Sequence, residues 1–241
     1  MKVVVARTER VGDDWSWIFA ERVMFSRAEL RTLNKSVRGG RGQEEWLRAR
    51  GAVDPEVTTI KLVVRGDRDK RVRVTGMRAL SKCMAPLTGT YMSNITAGED
   101  TLIGVGLNLD RPNPRAQIIK LDSNGFPGWP LEMRGDYFAK KTVSLKHDEE
   151  AVFEVWAQTL KHYCEFRLEL TVVDGDREVQ QVIDDHGQPF RVSADLLSEE
   201  ELGTTVIPHA YDVVYFGGIL TKTGNWARVK PDQPEPNVIA P

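Results

Sequence analysis

Between Cys164 and Val172 every second residue is apolar: Cys164, Phe166, Leu168, Leu170 and Val172 alternate with Glu165, Arg167, Glu169 and Thr171. Side chains of an extended strand point to opposite faces in turn, so this run offers one face to a core and one to water. Asp174-Gly175-Asp176 supplies a turn at its end. The same period returns at short intervals from residue 57 onward. Ile60, Leu62 and Val64 share a parity, as do Val72 and Val74, and then Ile103, Val105, Leu107 and Leu109. Val143 with Leu145, Val152 to Trp156, Val179 to Ile183, Phe190 to Val192, Val213 to Phe216 and Trp226 to Val229 add shorter runs. Many short strands with no long helical pattern between them argue against a βαβ fold and predict an all-β chain, an antiparallel β-sandwich of the jelly-roll or immunoglobulin-like kind. The polar stretch Gly66 to Asp69 predicts a hairpin between the second and third of these runs.

Ahead of the strands the pattern differs. Trp15, Trp17 and Phe19 would share one side of a strand. Ser26 followed by Glu29 has capping-box spacing, which predicts a short helix over 27–35, and Glu44 to Arg50 can form a second helix with Trp46 and Leu47 as its apolar contacts. The expected organisation is an N-terminal strand and short helices over 1–56 packed on the main domain, a β-sandwich over 57–230, and a disordered tail over 231–241. That tail holds four of the twelve prolines.

The composition suits a soluble globular chain: 41% of the 241 residues are hydrophobic and 28% are charged. No apolar run approaches the roughly 18 residues that span a bilayer, and Val3 to Ala6 is too short for a signal-peptide core. Residues 1–82 carry 19 Lys+Arg against 11 Asp+Glu, and residues 83–241 carry 14 against 24. The basic residues of the first part are spread singly, Arg71 and Arg73 alternating with Val72 and Val74 as on the wet face of a strand, so no nucleic-acid partner is expected.

With only two Cys, zinc-ribbon and disulfide-dense scaffolds are excluded. Cys83 and Cys164 lie in or beside strands, Cys164 with inward parity, and the expectation is a bridge pinning two strands or sheets in an oxidising compartment. Two separate buried thiols are the alternative. The residue two before Cys164 is His162, where an immunoglobulin tyrosine corner wants Tyr.

Little else suggests chemistry. His162 and Cys164 have a spacing that can hold a metal, yet no second pair of ligands matches. Asp184-Asp185-His186 and Lys146-His147-Asp148-Glu149 read equally as turns. Gly104-Val105-Gly106 lacks the third glycine of a dinucleotide fingerprint, and there is no nucleophile elbow or phosphate loop. Arg-Gly-Asp occurs at 65–67 and 134–136, where turn chemistry competes with an adhesive reading, and Asn34-Lys35-Ser36 and Asn94-Ile95-Thr96 match the glycosylation pattern. No catalytic residue, metal or cofactor is therefore assigned. The segment 122–136 stands apart, a long loop of turn residues carrying Phe126, Trp129 and Arg134. Trp and Arg are favoured binding anchors, and these three are the candidate binding residues; the competing reading has Phe126 and Trp129 capping an end of the sandwich.

Arg7 to Trp17, Cys83 to Gly89, His162 to Phe166 and Asp185 to Val192 resemble a group of uncharacterised bacterial β-rich proteins in which the domain typically follows a single N-terminal membrane helix. The resemblance covers most of 7–229 and implies an extracytoplasmic domain with no assigned activity; the membrane helix of that group is not seen here, so either the residues before Val3 were removed or the tether is absent. The expected function is a non-catalytic extracytoplasmic module binding a protein or cell-envelope component. The alternatives are a carbohydrate-active or other hydrolytic enzyme on the same scaffold and, for location, the cytoplasm.

Overall fold

The computed structural model describes residues 1–9, 16–35, 41–94, 104–123, 127–197, 209–218, 220–221 and 223–229. The chain is mostly β, with two short helices among these residues. In order come β1 (Lys2–Thr8), β2 (Trp17–Phe19), α1 (Arg27–Asn34), α2 (Arg41–Arg48), β3 (Asp54–Pro55), β4 (Val57–Arg65), β5 (Val72–Met84) and β6 (Thr90–Ser93). They are followed by β7 (Val105–Asn108), β8 (Gln117–Ile119), β9 (Met133–Asp136), β10 (Val143–Leu145), β11 (Glu150–Gln158) and β12 (Tyr163–Asp174). β13 (Arg177–Ile183), β14 (Phe190–Ser193), β15 (Val213–Gly218) and β16 (Gly224–Arg228) complete the chain.

Two compact units share these elements. One comprises Met1–Val11, Glu56–Ala85 and Asp100–Val192; the other comprises Gly12–Pro55, Pro86–Glu99 and Ser193–Pro241. The chain crosses from one unit to the other between Pro55 and Glu56 and again between Ala85 and Pro86. The tail over 231–241 lies outside the described residues.

In the first unit one sheet runs β1-β4-β11-β7-β8-β9, and another contains β10-β5-β12-β14, with β13 also paired to β12. Their apolar faces feed one buried cluster: Ile60, Leu62 and Val64 of β4, Val105 and Leu107 of β7, and Phe153 and Val155 of β11 meet Val72 and Val74 of β5 and the alternating face of β12. Cys164, Leu168 and Leu170 are fully buried there. Burying each such leucine is worth about 1.5–3 kcal/mol.

Two expectations need correction. The sheets are mixed, because β7 runs parallel to β11 and β6 parallel to β15; between β7 and β11 the chain passes through β8, β9 and β10 and re-enters in the same direction, as a parallel pair requires. Nor is there a hairpin at Gly66. β4 pairs with β1 and β11, whereas β5 pairs with β10 and β12, so the turn joins two sheets. Both strands still present their apolar parity to the same cluster, which is why a corner and a hairpin leave the same sequence pattern. Gly66 packs against the Lys146 carbonyl so closely that a Cβ would collide with it.

Cys83 and Cys164 form a disulfide. They are directly opposed in the β5–β12 ladder, which runs from Tyr163–Met84 to Asp174–Val72, so the bond joins neighbouring strands of one sheet.

In the second unit β16-β15-β6-β2 form a sheet. Trp17, Phe19, Phe25, Leu33, Leu47, Met92, Tyr215 and Trp226 make its core. Trp15 lies outside the described residues. α1 begins as its capping box requires: Ser26 Oγ accepts from Glu29 N at 3.2 Å, and Glu29 Oε2 accepts from Ser26 N at 2.9 Å. α2 starts earlier than expected. Its Arg48 makes a forked pair with Asp54, both bonds 2.9 Å, and a third bond of 2.8 Å to Glu44.

Candidate functional site

The segment expected as a long loop is an extension of the hairpin between β8 and β9. Its limbs stay paired past the strands: Lys120 N donates to Glu132 O at 2.8 Å, and Leu121 bridges Pro127. Buried Leu131 anchors one limb. Trp129 lies on the returning limb and is 58% exposed. Arg134 sits on β9, the edge of its sheet, instead of in the loop. Its Nη2 and Nε donate to Glu132 Oε1 at 2.7 and 3.2 Å, while Lys120 Nζ holds Glu132 Oε2 at 2.6 Å. Those two cations keep the Glu132 carboxyl below its ordinary range. Phe126 lies outside the described residues. Of the three expected binding residues, then, Trp129 and Arg134 share one hairpin, and the guanidinium already has a carboxylate partner.

The outer face of the same sheet is ordered in rows across β1, β4 and β11. Val5, Val63 and Val152 form one row, with Val152 63% exposed, and Arg7, Lys61 and Glu154 form the next. Trp156 follows, its indole Nε1 donating to Glu154 Oε1 at 3.0 Å. Burial raises the Glu154 carboxyl above its usual range, and nearby Glu9 adds to the rise. Beside this row stand two glycines, Gly104 just before β7 and Gly106 within it. A Cβ on Gly104 would lie 2.9 Å from the Trp156 ring, and one on Gly106 would lie 2.8 Å from Met133 Sδ. Bare backbone at both positions lets the indole and the thioether lie flat across the strand. The sequence carried that signal, since Gly104 and Gly106 alternate with inward Val105 and Leu107.

Two further clusters hold titratable groups. At the turn after β11, Asp110 accepts from Thr159 Oγ1 at 2.7 Å, Leu160 N at 2.8 Å and His162 Nδ1 at 2.9 Å. Burial pushes the Asp110 carboxyl up, but these bonds outweigh it and hold the group below its normal range. His162 is therefore tied to Asp110, and with Cys164 in the disulfide the metal spacing of that pair is void. In the second unit Asp195 accepts from Tyr211 Oη at 2.9 Å and Leu197 N at 3.2 Å, while Tyr91 stacks on Tyr211 with centroids 4.9 Å apart. Burial raises both the Asp195 carboxyl and the Tyr211 phenol. No sequence pattern links Tyr91, Asp195 and Tyr211; packing alone brings them together.

The short motifs are engaged internally. Arg65 pairs with Glu150, and Asp136 Oδ1 accepts from Phe138 N at 2.8 Å, so each Arg-Gly-Asp has a committed charge. Asn34 brackets Trp226, accepting from its N–H at 2.7 Å and donating to its carbonyl at 3.4 Å. Asn94 is buried. Asp184 and His186 form a turn in which Asp184 Oδ1 accepts from Gly187 N at 2.9 Å. No family model, characterised protein or solved structure matches the chain. No helix among the described residues is long and apolar enough to cross a membrane.

Proposed function

We propose that this chain is a non-catalytic extracytoplasmic module that binds a protein or cell-envelope component, with the first unit serving as an open two-sheet β-sandwich. The sandwich reading rests on the single core that both sheets share. The observation that carries the binding reading is Trp129, 58% exposed on a hairpin whose limbs are paired. A large apolar ring held clear of the core loses little freedom on contact, so most of its burial is available to a partner. Arg134, on β9 of the same hairpin, is assigned as the second anchor, and Phe126 is assigned the supporting role. The disulfide supports an oxidising location, and the resemblance to domains that follow a membrane helix points the same way.

The test is co-sedimentation of the purified chain with a washed bacterial envelope fraction. Trp129→Ala should weaken binding at least 10-fold, in keeping with the roughly 2 kcal/mol that separates an anchor from a bystander. Thermal stability should stay within about 0.5 kcal/mol of wild type, as for an exposed residue. Equal binding by the variant would overturn the assignment. Release of reducing sugar ends from the same fraction would move the reading to the hydrolytic alternative.

A further inference from the structure

Along its flank away from β12, β5 is covered in pieces. β10 pairs with Val72–Val74. The short segment Pro114–Ala116 then takes over, with Ala79 N donating to Pro114 O at 2.8 Å and Ala116 N to Met77 O at 2.9 Å, and an antiparallel bridge joins Arg78 to Arg115. Beyond Ala79 none of the described residues pairs with this flank.

The direction of the backbone groups there follows from the ladder. Cys83 and Cys164 are opposed with Cα atoms 4.1 Å apart, the narrow spacing of a non-hydrogen-bonded antiparallel pair. Residues of that phase turn both N–H and C=O away from β12, and the Ala79–Pro114 bond confirms the phase two rungs further on. The N–H and C=O of Ser81 and Cys83 therefore point to where a third neighbour would lie. Next to this flank a groove of about 530 Å³ lies over the outer face of β5 and β12, lined among others by Leu80, Lys82, Pro114, Arg167, Pro189 and Glu165, the last directly opposite Lys82 in the ladder.

We propose that this flank is a docking site for an extended peptide segment of a partner protein, added antiparallel to β5 in line with Pro114–Ala116. Strand addition draws its affinity from main-chain bonds and its selectivity from alternate side chains. The side chains sharing the outer face are Leu80, 39% exposed, Lys82, and Met84, 43% exposed. Lys82 has no ion pair among the described residues. The segment that fits carries an acidic residue opposite Lys82 and apolar residues two places to either side of it. The Cys83–Cys164 bond fastens the strand from behind, so the edge is held in shape before the peptide arrives.

The probe is a capped Val-Thr-Glu-Thr-Val peptide, with amide hydrogen exchange of the whole chain read by NMR. Saturating peptide should slow exchange at Ser81 and Cys83 at least 10-fold. The same peptide N-methylated at both threonines, which keeps the side chains and removes the two N–H donors, should give no protection. Lys82→Glu should bind a central-Lys peptide at least 10-fold better than the central-Glu peptide, reversing the wild-type order. Trp129→Ala should leave all of this unchanged, which separates the site from the hairpin. Protection of Ser81 and Cys83 in the dilute chain alone would mean that the chain covers its own edge. Protection that grows with protein concentration alone would mean a second copy. Either result, or equal binding by the N-methylated peptide, overturns the proposal.

Discussion

Removing the disulfide tests how much of the first unit depends on one covalent contact. Cys83 and Cys164 are 81 residues apart in the chain yet face each other across one rung. In the loop-entropy description, releasing a loop of that length frees the unfolded chain by about 4 kcal/mol. Replacing both residues by alanine also removes two sulfur atoms from packed positions, worth about 1 kcal/mol each where fully buried; Cys164 is fully buried and Cys83 only partly. The double variant should therefore lose about 5 kcal/mol, of which wild type reduced by dithiothreitol should lose the larger share. With a urea slope of about 3 kcal/mol/M, the entropic part alone lowers the midpoint by about 1.3 M. Hydrogen exchange of β5 and β12 during the urea titration reads the first unit by itself. A shift below about 0.3 M in a protein proved to hold the bond would refute the loop-closure reasoning. Two free thiols in denatured, unreduced wild type would refute the bond itself.

Gly104→Ala should destabilise more than Gly106→Ala, because the new methyl at 104 meets the Glu154 carbonyl and the Trp156 ring, both at 2.9 Å, whereas at 106 it meets the pliable Met133 side chain; about 1–3 kcal/mol is expected for the first, and urea midpoints of the two variants decide the order. Asp195 has a folded-state carboxyl raised by burial, so its contribution is fully present below the unfolded value of about 3.9 and is lost as pH rises through the folded value. The melting temperature of wild type relative to Asp195→Asn should accordingly fall as pH climbs from about 4, and a difference that is flat or rising with pH would contradict the burial argument.

What could be read from sequence was whatever one strand or one cap decides locally. The alternating face of β12, the Ser26–Glu29 cap and the turn at Gly175 each depend on neighbours within a few residues, and each took the expected form. What depends on which strand lies beside which was hidden. The period of two says that Ile60 and Val72 face a core, and it is silent on whether their strands hydrogen-bond to each other or lie in different sheets. β1 was missed because its burial alternates only at its start, so its apolar residues show no clean period. The disulfide was legible in part: parity pointed Cys164 inward, but only the register shows Cys83 directly across from it. At the candidate site, the residue types in 122–136 drew attention to Trp129, while the limb pairing that carries it and the Glu132 that occupies Arg134 required coordinates.

Where binding can occur also follows from what folding has left unsatisfied. A charged group already held by two or three short bonds must give some of them up to engage a ligand, and losing a bond to a buried ion costs more than an exposed new one returns. Asp110 with His162, Arg48 with Asp54 and Glu44, and Asp195 with Tyr211 are all committed in this way. Arg134 is committed too, but at the surface: its side chain is 64% exposed and that of Glu132 51%, so exchanging one carboxylate for a partner's is nearly neutral. Arg134 can thus steer and orient a ligand while adding little to affinity. The indole of Trp129 has no such prior engagement among the described residues, and its burial in a complex is a net gain. Truncating Arg134 to Ala should therefore slow association, most visibly at low salt, and leave dissociation nearly unchanged, whereas Trp129→Ala should act mainly on the dissociation rate. Stopped-flow and surface-binding kinetics at two ionic strengths distinguish the two roles, and an Arg134→Ala variant that dissociates as fast as Trp129→Ala would show that the guanidinium is released from Glu132 and bonded directly to the partner.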